Sequence, residues 1–154
     1  MRTLSAEETA AALPWGALVE ALLDMFERER SGEAHASPRT SVALAAGGVM
    51  LLMPAADLRF AALKTVTVHA ANAARGLPVV QCNVTLMDAT TGTRLLAMDG
   101  NVLTARRTAA LSLAGATRAG RTGTARMLLI GAGVQARAHA EAFAQVWGIR
   151  RLEI

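Results

Sequence analysis

The stretch MLLIGAGVQARAH, Met127 to His139, places Gly131 and Gly133 two residues apart between an apolar run and a helical pattern. In a G-x-G-x-x-A turn the first glycine permits a tight backbone reversal. The second lets the main chain approach a pyrophosphate with no Cβ in the way, and alanine, here Ala136, suffices at the third position, where helix and strand meet. An anion then rests on the N-terminus of the helix that opens near Val134, drawn by unsatisfied N–H groups and the helix dipole. Dinucleotide binding competes here with a merely structural strand-to-helix turn, and Gln135 either reaches the phosphates or caps the helix locally.

Two further groups carry chemistry of another kind. In LTARRTAALS, Leu103 to Ser112, Arg106 and Arg107 point about 100° apart on a helix, so at most one faces a shared cleft while the other is solvated. A guanidinium suits bidentate capture of a carboxylate or phosphate, although two ordinary surface arginines are the plainer reading. Lys64 stands in the middle of FAALKTVTV. A lysine in an apolar strand is paired, lines a cavity, or sits on a solvated face, because burying its charge alone is costly. Arg39 in HASPRT and Arg75 in NAARGLP punctuate strand entries, and His69 and His139 have no metal-compatible spacing.

These residues need elements to hold them. Ser5 and Glu8 form a capping-box pattern for a short helix running toward Leu13, and Pro14 opens a second helix with Leu18, Ala21, Leu22, Met25 and Phe26 as its apolar stripe and Gly32 as its stop. Both are expected to pack on the sheet that follows. Strands are predicted near 40–45, 48–53, 60–68, 79–87 and 93–98, separated by Gly47-Gly48, Pro54 to Asp57, the loop His69 to Pro78, and Thr91-Gly92. Strands without intervening helices predict an antiparallel or mixed sheet. From about Asn101 to Arg118 the period turns helical, and the turn-rich AGRTGT beyond it is the best domain boundary. RMLLI, then VQARAHAEAFAQVW, then RRLEI read as the opening βαβ of a doubly wound fold. The expected class is α/β, with an α+β substrate and dimerisation domain over 1–118 and the start of a Rossmann domain over 124–154. Two strands and one helix do not cover both faces of a parallel sheet, so the natural protein is expected to continue or a partner to complete it.

Composition narrows the function. With 53% hydrophobic residues in 154, the chain has ample material for a core. A membrane span needs about 18 or more consecutive apolar residues, and the uncharged run Thr40 to Ala56 is broken by Gly47-Gly48 and ends at Pro54. The N-terminal MRTLSAEETAAALPW does not read as a secretory signal, and the single cysteine, Cys82, offers no disulfide, so a reducing cytoplasm is expected. Net charge is +4, from fifteen arginines and one lysine against twelve acids, but the arginines are scattered and aromatics make up only 3%. Nucleic acid is therefore not an expected partner.

Together, ARGLPVVQ, LLAMDGNVLTARRTAALS and LLIGAGVQARAHAEAF resemble, in order and spacing, the ornithine cyclodeaminase/mu-crystallin family, from about Arg39 to the end and more loosely before it. The combination of R-G-L-P, T-x-x-R-T-A-A and G-x-G-x-Q-A is far more specific than the glycine turn alone. The resemblance implies a homodimer whose nucleotide domain is inserted within its substrate domain. It also implies that Arg39, Lys64 and Arg107 gather around a substrate carboxylate or its imine. Thr108 and Ala132, Gly133, Val134 and Gln135 match cofactor contacts, and Val79 and Val80 match a strand end on the nicotinamide side.

Within the family the resemblance is nearer to ketimine reductases than to ornithine cyclodeaminases. The cyclising members have an acidic residue close before Met-Pro and a Glu-Met pair ahead of T-x-x-R-T-A-A. Here those stretches are Leu51-Leu52-Met53-Pro54 and Met98-Asp99-Gly100-Asn101. The implied reaction is NAD(P)H-dependent reduction of Δ1-pyrroline-2-carboxylate or Δ1-piperideine-2-carboxylate to proline or pipecolate, with Lys64 as the catalytic residue. An NAD-dependent ornithine cyclodeaminase and a non-catalytic small-molecule binder are the alternatives. Cys82 stands where glycine is common and is expected to crowd the strand near the cofactor. Glu153 lies about 20 residues past the glycines but is only the third residue of its strand, so the ribose-reading acid that separates NADH from NADPH is expected later. The 154 residues alone are expected to be inactive and to hold cofactor weakly.

Overall fold

A computed structural model describes residues 1–121 and 123–154. Thr122, within the AGRTGT boundary stretch, lies outside the described residues. The elements run β1 (Arg2–Thr3), α1 (Ala6–Ala11), α2 (Trp15–Ser31), β2 (Ala34–Ala36), β3 (Thr40–Ala43), β4 (Val49–Asp57), β5 (Phe60–Val68), β6 (Val80–Asp88), β7 (Arg94–Asp99), α3 (Gly100–Arg118), β8 (Arg126–Leu128), α4 (Val134–Trp147) and β9 (Arg151–Glu153). The architecture is mixed α/β. By contacts the chain divides into one unit of Met1–Thr9 with Arg28–Asn101 and a second of Ala10–Glu27 with Val102–Ile154.

The first unit is a sheet in the order β1-β7-β6-β5-β4-β2, with β3 also paired to β4. All pairs are antiparallel except β1 with β7, so the sheet is mixed as the strand spacing predicts. Reciprocal bonds fix the entry: Ser5 N donates to Glu8 Oε2 at 2.8 Å, and Glu8 N donates to Ser5 Oγ at 3.2 Å. That is the capping box read from the sequence.

The expected break at Pro54 to Asp57 does not occur; β4 runs through to Asp57 and turns only at Leu58-Arg59. On one edge of β4, β3 pairs with 49–52 and β2 with 55–57. Pro54 falls in the gap between them, where its missing N–H leaves no ladder bond unmade on that edge. The turn itself is held by Asp57, whose Oδ1 accepts from the N–H groups of Arg59 at 2.7 Å and Phe60 at 2.6 Å. Arg28 adds an ion pair to Oδ2 at 3.2 Å. The predicted loop from His69 to Pro78 contains a 3-10 turn, Ala70–Arg75, closed by Gly76 in the left-handed region at φ 65°.

In the second unit, α2, α3 and α4 share a core of Trp15, Val19, Ala109, Ala110, Leu113, Ala114, Ala138 and Ala142. The predicted apolar stripe Leu18, Ala21, Leu22, Met25 and Phe26 is only partly what this core uses, with Leu18 and Leu22 packed against it. The buried side chains of α2 are Trp15 and Val19, and Ala21 and Phe26 are exposed. Five alanines among the buried core residues let the helices approach closely, and Leu113, fully buried, contributes the bulk between them. β8 and β9 pair in parallel across α4, which is the βαβ unit read from the sequence.

Candidate functional site

In the sheet unit, register sets the arrangement. Lys64 pairs with Met53 on one side and Val84 on the other. Alternation puts Lys64, Val66, Val68 and, across from them, Val84, Cys82 and Val80 on one face. That face carries both of the sheet's buried valines, Val66 at 7% and Val84 at 6% exposed. Lys64 is half-buried. Val80 lies opposite Val68, four residues along the strand from Lys64, or about 13 Å.

β3 supplies the next component. Thr40 pairs with Leu52 and Ala36 with Ala55, so Arg39 lies in the three-residue link between β2 and β3, beside Met53 and Pro54. Arg39 and Lys64 thus lie on either side of β4 near Met53, two strand spacings or about 10 Å apart. Both side chains are long enough to reach a small molecule between them. Val79 and Val80, both exposed, are brought to the start of β6 by a braced loop. His69 N donates to Val79 O at 2.9 Å, and buried Asn72 donates through Nδ2 to Pro78 O at 3.0 Å.

Cys82 lies against the start of α3. A Cβ on Gly100 would run into Cys82 Sγ and come within 2.8 Å of the Cys82 carbonyl carbon. The start of α3 therefore approaches β6 closely, and only glycine fits there.

The helical unit separates the arginine pair. Arg106 Nε donates to Leu13 O at 2.9 Å, and its guanidinium lies over the Trp15 ring at 3.9 Å. Burial lowers its pKa from the ordinary guanidinium value, and nearby Glu141 works against that shift. Arg106 is a packing residue. Arg107 is exposed and makes no hydrogen bond or ion pair among the described residues. Thr108, half-buried, donates Oγ1 to Thr104 O at 2.7 Å, one turn back on α3.

The glycine turn has the form a dinucleotide needs. Gly131 has φ 108°, a conformation closed to other residues at low cost, and a Cβ on Gly133 would meet only open space. Gly133 is the N-cap of α4 with no side-chain cap bond, so the first N–H groups of the helix are left for an external acceptor. Ala132, Val134 and Gln135 are exposed around that opening, and Ala136 turns inward, half-buried. The residues present fit a pyrophosphate.

A family model described as ornithine cyclodeaminase/mu-crystallin matches residues 2–154. The chain belongs to the ornithine cyclodeaminase/mu-crystallin family. This family member is 41% identical over 149 residues to Delta(1)-pyrroline-2-carboxylate reductase 2 of Burkholderia ambifaria, covering 97% of this chain and 48% of that protein. It is 34% identical over 158 residues to the ketimine reductase mu-crystallin of Mus musculus, covering 98% and 50%. Among solved structures it is similar to the Thermococcus litoralis Delta(1)-pyrroline-2-carboxylate reductase in complex with NADH and L-proline, with TM-score 0.84, 29% identity and coverage of 98% of this chain and 47% of that one. The chain spans about half the length of the curated relatives it matches.

One polar cluster of this family member escapes sequence reasoning. His139 Nδ1 is 2.7 Å from Gln135 O and its Nε2 is 2.9 Å from Ser112 Oγ. Ser112 and His139 are 27 residues apart on different helices, so no local pattern signals the pair.

Proposed function

We infer that the protein reduces cyclic imino acids, Δ1-pyrroline-2-carboxylate or Δ1-piperideine-2-carboxylate, to proline or pipecolate with NAD(P)H. The observation that carries the reading is the flanking of Met53 by Arg39 and Lys64 on the sheet. Its weight comes from the reductases to which the chain is similar.

The chemistry is coherent. A protonated cyclic imine next to a carboxylate accepts a hydride at the imine carbon, giving the secondary amine. Arg39 and Arg107 are each suited to the carboxylate, since a guanidinium presents two parallel N–H donors to its two oxygens. Lys64 keeps the imine nitrogen protonated, directly or through one water. When bound, a nicotinamide cofactor would supply the hydride. Gly131, Ala132, Gly133, Val134 and Gln135 would hold its pyrophosphate on α4, Thr108 would add a hydroxyl contact, and Val79 and Val80 are assigned to the nicotinamide by the resemblance. The domain division is proposed as 1–118 for substrate binding and dimerisation and 124–154 for the opening of the nucleotide domain.

The acceptor side points away from ornithine. Leu51-Leu52-Met53-Pro54 lies next to Lys64 and contains no carboxylate to grip an amine side chain. A homodimer is proposed through the sheet, whose second face presents half-exposed Met50, Leu52, Leu63 and Met87. No helix among the described residues is long and apolar enough to cross a membrane. Turnover of the two cyclic imines against ornithine by the full-length protein tests the reading. Imine-dependent NAD(P)H oxidation is expected, and ornithine deamination in its place would replace this reading with the cyclodeaminase one.

A further inference from the structure

Gln135 O is a carbonyl and accepts only, so the 2.7 Å contact requires a hydrogen on His139 Nδ1. In the neutral ring Nε2 then carries a lone pair and accepts from the Ser112 hydroxyl at 2.9 Å. Protonation does not break the link. Nε2–H then donates to Ser112 Oγ, whose hydrogen turns to Thr108 O at 3.3 Å. The ring is also held from the side: Phe143 stacks on it at 6.4 Å between centroids with 16° between planes, and Trp147 meets Phe143 edge-on at 5.0 Å. His139, Phe143 and Trp147 follow one another at four-residue spacing, a row along one face of α4.

Ser112 sits in the middle of α3, where backbone N–H groups are committed to the helix, so no donor pair is on hand to stabilise an oxyanion. A nucleophile is not what this arrangement serves. Its location is informative instead. Ser112 is one turn beyond Thr108 on α3, and His139 holds the carbonyl of Gln135 in the first turn of α4, beside the N–H groups left open at Gly133.

We propose that Ser112 and His139 are positioning residues that tie the phosphate-seating first turn of α4 to the Thr108 helix α3, and so set dinucleotide affinity. The proposal rests on the dinucleotide part of the reductase reading. A neutral hydrogen bond of about 0.5–1.5 kcal/mol corresponds to about 2- to 10-fold in affinity.

The test uses the full-length protein and two readouts. In protein labelled with 15N-histidine, at a pH where the ring is neutral, His139 is expected as the Nδ1–H tautomer, with assignment from His139→Phe. In kinetics, Ser112→Ala and His139→Phe are expected to raise the dinucleotide KM by about 2- to 10-fold, with kcat and the imino-acid KM within about 2-fold. His139→Gln, whose side-chain amide reaches the Nε2 position but leaves Gln135 O without the Nδ1–H bond, is expected to restore the dinucleotide KM only in part. An Nε2–H tautomer overturns the pair. An unmoved dinucleotide KM, or equal movement of both KM values, overturns the positioning role. Wild-type protein that binds no dinucleotide overturns the reductase reading instead, and the positioning role with it.

Discussion

Arg39 and Lys64 lie on opposite sides of β4 near Met53, one just before β3 and the other in the centre of β5. A guanidinium presents two parallel donors to a carboxylate. Lys64 differs from Arg39 in having an adjustable proton affinity. The account gives it the proton at nitrogen and gives Arg39 the carboxylate.

For Lys64→Met, kcat for imine reduction is expected to fall about 100-fold or more, with a changed pH profile and little change in dinucleotide KM. Steady-state kinetics across pH checks this. Unchanged rate and profile would remove Lys64 from the mechanism.

Arg106 and Arg107 are expected to separate cleanly. Arg106→Met loses the bond to Leu13 O and the contact over Trp15, so it should cost about 1–2 kcal/mol of stability and leave substrate KM nearly unchanged. Arg107→Met, at an exposed position, should leave Tm in place and raise imino-acid KM about tenfold or more. Thermal melts and KM values of both variants decide it, and the reverse pattern would exchange their roles.

The two glycines of the turn predict opposite signatures. Gly131→Ala forces a side chain to φ 108° and should cost about 1–3 kcal/mol in stability. Gly133→Ala is unstrained and meets open space, so Tm should hold while dinucleotide affinity falls about tenfold or more. Equal affinity of Gly133→Ala and wild type for NADH would show that no phosphate approaches there.

Acid sensitivity should trace to the β4–β5 turn. The N–H groups of Phe60 and Arg59, in that order, and then the Arg28 charge hold the Asp57 carboxyl below its ordinary pKa. A depressed folded-state value stabilises above the unfolded pKa, and that contribution is lost as pH falls through the folded value. Tm should therefore drop below about pH 4. Asp57→Asn keeps an acceptor but loses the charge, so it should cost about 1 kcal/mol at pH 7 and show a flatter acid limb in melts. An identical acid limb would place the sensitivity elsewhere.

Local chemistry made much of this legible in the sequence. The Ser5–Glu8 box, the strand carrying Lys64 and the strand, turn and helix around Gly131 follow from patterns within a few residues, and the structure has them. What was not legible depends on partners distant in sequence. Pro54 reads as a strand breaker unless one knows that β2 and β3 leave a gap beside it. The stripe of α2 fits a sheet or a helical core equally well, and Trp15 settles into the latter through α3 and α4. Arg106 and Arg107 are indistinguishable until Leu13 and Trp15 are placed. His139 looks idle until Ser112 arrives from another helix.

The most direct measurement follows the hydride. Full-length protein is incubated with Δ1-pyrroline-2-carboxylate and NADH or NADPH deuterated at the nicotinamide C4, and the proline formed is analysed by mass spectrometry and NMR. The account predicts one deuterium at the carbon bearing the carboxylate and one oxidised nicotinamide per proline. Proline without that deuterium, or no imine-dependent oxidation of either nucleotide, would contradict it.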